Sequence, residues 1–125
     1  MKTVFVVDDN AVNLVLAKNV LNETYNTFTM PSAEKMLVLA EVVAPDLIIL
    51  DIEMPSMNGF EALSILKSDE KFKSIPVIFL TGNHDVESQK RGYKMGASDF
   101  IQKPFSPPAL IESIETHIQA DRLAG

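Results

Sequence analysis

The sequence contains no cysteine. Disulfides and thiolate metal sites are therefore excluded. Basic residues are scarce: 11 Lys and Arg against 17 Asp and Glu give a net charge of −6. Binding to a phosphate backbone relies on clustered Lys and Arg. The densest basic stretch, Lys67 to Lys73, is interrupted by Asp69 and Glu70. Direct nucleic-acid binding is not expected. No apolar run approaches the roughly 20 residues that span a bilayer. Met1-Lys2-Thr3-Val4 leads straight into a strand-like segment, without the charged, apolar and cleavage regions of a secretory signal. No membrane association and a cytoplasmic location are expected. The only two histidines, His84 and His117, have a spacing that matches no metal motif, and both are expected at the surface.

The chain has 125 residues and is 46% hydrophobic, which fits one domain with a real core. Its apolar runs end in polar chemistry. Val4-Phe5-Val6-Val7 runs into Asp8-Asp9, and Leu47-Ile48-Ile49-Leu50 into Asp51. Val77-Ile78-Phe79-Leu80 runs into Thr81-Gly82, and Asp99-Phe100-Ile101-Gln102 into Lys103-Pro104. Short continuous apolar runs are the signature of buried parallel strands. A further strand, Tyr25 to Met30, ends at Pro31 and carries no chemistry.

Helical segments alternate with these strands. Val12, Leu16 and Val20 recur at helical spacing within Ala11 to Asn22. Ser32 is placed to cap a helix through Val43, with Ala33, Met36, Leu37 and Ala40 on one face. Met57-Asn58-Gly59 turns into a helix carrying Phe60, Leu63 and Leu66. Asp85 to Met95 reads as a helix with few large apolar residues, ended near Gly96 and expected to be the most loosely held element. Ser106-Pro107 opens a last helix with Leu110, Ile114 and Ile118 buried and Ile111 beside them. The pattern predicts a single-domain α/β fold, a flavodoxin-like (βα)5 doubly wound parallel sheet. A strand order 2-1-3-4-5 would gather the chemical residues at the switch point between the first and third strands.

Such a gathering brings three carboxylates, a hydroxyl and an ammonium to one spot. Two carboxylates about 4 Å apart repel by on the order of 4 kcal/mol at an effective dielectric of 20. A divalent cation and Lys103 would relieve that repulsion. Asp8, Asp9 and Asp51 are hard oxygen donors suited to Mg²⁺. Asp51 stands alone at the end of the central strand and is the candidate nucleophile, since aspartate carboxylates form acyl phosphates. Adjacent Asp8 and Asp9 have diverging side chains and suit metal holding. Thr81 supplies a hydroxyl to a phosphoryl oxygen, and Gly82 would let a backbone N–H approach the same group.

The motifs Val7-Asp8-Asp9, Asp51-Ile52-Glu53-Met54-Pro55-Ser56-Met57-Asn58-Gly59, Thr81-Gly82 and Gly96 to Phe105 resemble the receiver domain of two-component response regulators. The resemblance extends along the whole chain, 1–125, as either a stand-alone receiver or a piece of a longer regulator. It implies that Asp51 accepts a phosphoryl group from a sensor histidine kinase or phosphotransfer protein. It implies that Mg²⁺ (or Mn²⁺) is held by Asp8, Asp9, Asp51 and the backbone carbonyl of Glu53. Thr81 and Lys103 would bind the phosphoryl oxygens, and the Lys103-Pro104 peptide would be cis. Thr81 would move toward the phosphate and let Phe100 turn inward. The surface around the fourth helix, fifth strand and fifth helix would then change toward a downstream output domain or protein, or form a homodimer. The side chain of Glu53 would influence the lifetime of the acyl phosphate. The Ser106-Pro107-Pro108 start of the last helix and the run Glu115-Thr116-His117-Ile118 are similar to receivers that precede cyclic-dinucleotide-handling domains.

Three other readings compete. A haloacid-dehalogenase-like phosphatase needs a second Asp two residues after the nucleophile, where this chain has Glu53. A flavin-binding module wants a Ser/Thr/Gly-rich loop after the first strand, where Asp8-Asp9-Asn10 stands. A receiver used only as an interaction surface would not need the full residue set.

Overall fold

The computed structural model describes residues 1–82 and 85–124, with 119–124 as backbone only. His84 lies outside the described residues. Five strands, β1 (Thr3–Val7), β2 (Asn26–Met30), β3 (Leu47–Asp51), β4 (Val77–Thr81) and β5 (Asp99–Gln102), form one parallel sheet in the order β2-β1-β3-β4-β5. Five helices connect and follow them: α1 (Ala11–Leu21), α2 (Ala33–Ala40), α3 (Gly59–Lys67), α4 (Val86–Met95) and α5 (Pro107–Ala124). Among the described residues no helix is long and apolar enough to cross a membrane.

Strand β3 is buried along its whole length because helices cover both faces of the sheet. Its alternating side chains feed two cores. Ile48 and Leu50 join Phe5, Met36, Phe60, Leu63 and Phe79 on one face. Leu47 and Ile49 join Val4, Leu21, Ile78, Leu110 and Ile114 on the other. The parallel registers pair Val7 with Leu50 and Asp51 with Leu80, so the carboxyl ends of β1, β3 and β4 lie side by side.

Capping side chains start the helices where the sequence predicts. Asn10 accepts from the N–H groups of Val12 and Asn13, Ser32 from Lys35 and Ser106 from Ala109. Asn58 and Glu61 form a reciprocal capping box at α3. Helix α2 is shorter than expected, ending at Ala40 rather than Val43. The chain tightens there, with Val42 and Val43 both donating to the carbonyl of Leu39, before Pro45 prevents continuation.

Helix α1 turns a different stripe inward than Val12 and Leu16 mark. Those two are 65% and 50% exposed, while Ala17 and Leu21 are buried. The helix carries two apolar stripes, and helical periodicity alone does not say which one meets the sheet. Helix α4 fully buries only Gly92.

Candidate functional site

The carboxyl ends of β1, β3 and β4 and the turn after β5 enclose an acidic cluster. Asp8 and Asp51 are 0% and 1% exposed, and Asp9 beside them is exposed. Despite that difference, Asp8, Asp9 and Asp51 each offer an oxygen within 4.8 Å of the others. Strand β1 aims Asp8 inward. The Asp8 carboxylate accepts from the backbone N–H of Asn10 at 2.9 Å and from the side-chain amide of Asn13 at 3.0 Å. Asn13 is a site residue that sequence reasoning missed. Its spacing from Asp8, one helical turn past the cap, is the signal that points to it.

Lys103 enters from the turn after the edge strand β5. Its backbone N–H donates to the carbonyl of Thr81, and its peptide bond with Pro104 is cis. The ammonium lies 3.0 Å from Oδ1 of Asp51 and 3.9 Å from Oδ2 of Asp8. The Glu53 N–H also donates to Asp51 Oδ1, at 3.3 Å, while the Glu53 side chain is exposed. The other oxygen, Asp51 Oδ2, is buried with no hydrogen-bond partner. A buried carboxylate oxygen without a partner carries an unrelieved desolvation cost. Burial, followed by the nearby Asp8 charge, pushes the Asp51 carboxyl up to about 6 against the pull of Lys103. Burial works against the charge on Lys103, but its hydrogen bond to Asp51 and the charges of Asp51, Asp8 and Asp9 outweigh it and raise its pKa.

Three carboxylates gathered this closely, one of them carrying an orphaned oxygen, fit a divalent cation such as Mg²⁺. Thr81 ends β4, one residue past the Leu80 that pairs with Asp51, and is buried. A Cβ built on Gly82 would meet nothing within 4 Å, so the space beside it is open. Gly59 is different. A Cβ there would lie 2.6 Å from the carbonyl oxygen of Asp51 and 2.8 Å from Cα of Ile52. The glycine lets α3 start against the end of β3, and its N–H donates to Ile52 at 2.8 Å. The left-handed residue of that loop is Ser56, with φ of 69°.

The model of the response regulator receiver domain matches residues 4–115. The chain belongs to the response regulator receiver domain family. The polar-differentiation response regulator DivK of Brucella ovis is 35% identical over 118 residues, which cover 94% of this chain and 96% of DivK. A probable cyclic di-GMP phosphodiesterase of Vibrio cholerae is also 35% identical, over 96% of this chain. The receiver spans only 27% of that relative's length. A CheY-like receiver domain from Methanospirillum hungatei superposes with a TM-score of 0.92 at 27% identity, covering 100% of this chain and 99% of that one. The family is one of signalling phosphoacceptor domains, and the chain has the CheY-like flavodoxin fold expected from its strand pattern.

One residue of α5 departs from expectation. His117, expected at the surface, is only 23% exposed and places Nε2 3.3 Å from Oδ2 of Asp99. The Ser113 hydroxyl donates to the same oxygen at 2.7 Å. The half-buried Phe100 packs its ring 5.4 Å from Phe79 and 5.0 Å from Tyr93. Burial, and then the charge of Asp99, raises the pKa of the Tyr93 hydroxyl.

Proposed function

We propose that the protein is a phosphorylation-dependent switch in which Asp51 accepts a phosphoryl group from a phosphohistidine of a sensor histidine kinase or phosphotransfer protein. The observation that carries this reading is the divided state of the Asp51 carboxylate. Oδ1 is held by Lys103, while Oδ2 is buried and partnerless, and the Asp8 and Asp9 carboxylates each bring an oxygen within 4.8 Å of an Asp51 oxygen. Asp8, Asp9, Asp51 and the backbone carbonyl of Glu53 would hold Mg²⁺ or Mn²⁺. When bound, the ion supplies positive charge that offsets the phosphoryl oxygens.

In the transfer, a carboxylate oxygen of Asp51 forms a bond to phosphorus while the bond from phosphorus to the imidazole nitrogen breaks. The bonding electron pair leaves with the imidazole. Lys103 exchanges part of its contact with Asp51 for a phosphoryl oxygen and stabilises the charge spread over that group. The Thr81 hydroxyl and the Gly82 N–H serve the remaining phosphoryl oxygens. Asn13 holds the Asp8 carboxylate in place throughout. The exposed Glu53 side chain stands where it can steer the water that hydrolyses the acyl phosphate.

Movement of Thr81 toward the phosphate lets Phe100 turn further inward, which changes the α4–β5–α5 face. That face then acts on an output domain or partner protein, or pairs with a second copy. Its exposed charges support pairing: α4 presents Lys90 and Lys94, and α5 presents Glu112 and Glu115. The domain acts from the cytoplasm, either as a free receiver or joined to an output domain. Incubation with Mg²⁺ and a small phosphodonor adds one phosphoryl mass to the parent and none to Asp51→Asn. Equal labelling of both, or of neither, overturns the reading. An unchanged monomer mass after phosphorylation would remove the dimer.

A further inference from the structure

A glycine inside a helix costs about 1 kcal/mol relative to alanine, so its presence calls for a local reason. Gly92 lies within α4 and is that helix's buried residue. Its backbone does not demand glycine, since Gly96 is the glycine with positive φ among the described residues. Its surroundings do. A Cβ at position 92 would lie 2.5 Å from Cζ and 3.1 Å from Cε1 of Phe100, and 3.2 Å from Cε2 of Phe79.

Those two rings belong to a longer file. Phe60, the residue after Gly59 in α3, packs 5.3 Å from Phe79. Phe79 packs 5.4 Å from Phe100, and Phe100 5.0 Å from Tyr93. Four aromatic residues thus run from the helix pressed against Asp51 to the surface of α4. At the far end, Asp99 accepts from the Phe100 N–H at 2.8 Å and from Ser113 of α5. Displacement of the Phe100 ring is therefore felt by α4 through Tyr93 and lies next to the carboxylate that ties β5 to α5.

We propose that Gly92 is a positioning residue of the switch: by lacking a side chain it forms the seat under α4 that receives the Phe100 ring. The atom that a Cβ would strike is the far end of a rotatable side chain, not backbone. Any larger residue at 92 therefore turns Phe100 outward and leaves α4 in place. With the seat filled, the ring is held out of it whether or not Asp51 carries a phosphoryl group, and the phosphorylation-dependent change of the α4–β5–α5 face is lost. Gly92 is bordered by Phe79 and Phe100 and not by the acidic cluster, so the chemistry at Asp51 is untouched. The signalling consequence rests on the function proposed above; the steric seat does not.

Unfolding midpoints of four proteins test the seat without any phosphorylation: the parent, Gly92→Ala, Phe100→Ala and the double variant. In the parent background Gly92→Ala lowers the midpoint. In the Phe100→Ala background the ordinary helix gain of alanine is restored, because Phe79 can relax into the vacated space. The midpoint then rises by about 4 °C. A change of the same sign in both backgrounds overturns the proposal. Should Phe100→Ala fail to fold, Phe100→Leu, which is too short to reach the Cζ position, replaces it with the same expectation. A second measurement uses Mg²⁺ and a small phosphodonor. Gly92→Ala takes up phosphoryl at a rate within twofold of the parent, but loses the phosphorylation-dependent change in amide exchange across 86–118. A parent-sized change in the variant overturns the positioning role. Failure of the parent to take up phosphoryl sinks the function proposed above, and the midpoints still decide the seat.

Discussion

Lys103 holds one oxygen of Asp51 at 3.0 Å and leaves the other buried without a partner. The pair is therefore a half-neutralised charge rather than a closed salt bridge. A closed bridge would need excellent geometry to repay the desolvation of both ions. Here the unpaired half is the part open to chemistry.

Removing the ammonium with Lys103→Met leaves two buried carboxylates facing each other. Breaking a buried pair in this way is costly. Partial solvent access at Lys103 reduces the effect to about 1–3 kcal/mol in metal-free buffer. Magnesium should bind the variant more tightly and recover most of the loss, while phosphorylation slows at least about tenfold. Thermal melts with and without Mg²⁺, and phosphodonor labelling, check both halves. A variant as stable as the parent without metal would contradict this account of the cluster.

The Asp51 carboxyl, pushed up to about 6 by burial and then by Asp8, makes stability depend on pH. Its folded value lies above that of the unfolded chain, so the neutral form favours folding. The contribution is fully present below pH ~4 and is lost as pH rises through about 6, by about 2–3 kcal/mol. Asp51→Asn, which cannot ionise, should be more stable than the metal-free parent at pH 8 and close to it at pH 4. Denaturant midpoints across that range provide the check. A gain of equal size at both pH values would assign the effect to something other than ionisation.

Asn13→Ala removes one of the two hydrogen bonds that orient the Asp8 carboxylate. Loss of a hydrogen bond to a buried charge costs about 1–3 kcal/mol. Part of that cost should appear as weaker Mg²⁺ binding, by roughly three- to tenfold. Titration calorimetry measures it, and Asn13→Asp supplies a contrast: its added negative charge beside Asp8 raises repulsion in the metal-free state.

The loop between β3 and α3 contains two residues with opposite expectations. Gly59→Ala would press a methyl group against the backbone of Asp51 and Ile52, which cannot rotate away, and should cost about 1–3 kcal/mol or more. Ser56→Gly should stabilise by up to about 1 kcal/mol, because φ of 69° strains any residue with a Cβ. Equilibrium unfolding of both variants tests the contrast. The site loop is misread if alanine proves harmless at 59.

The sequence carried the strand order and the identity of the acidic residues. Both are written in short apolar runs with polar residues at their carboxyl ends, a local signal set by strand burial. It also carried the caps Ser32 and Ser106, because a cap depends on residues within three positions of it. Other features depend on partners distant in sequence and were settled only by packing. Tertiary structure decided that α1 buries Ala17 and Leu21 while exposing Val12 and Leu16. It placed His117 against Asp99, left Asp9 in solvent beside a buried Asp8, and made Gly59 and Gly92 necessary through atoms of Asp51 and Phe100. The physical reason is one of range: periodicity and capping act over a single turn, whereas a close approach between two elements exists only after the sheet has brought them together.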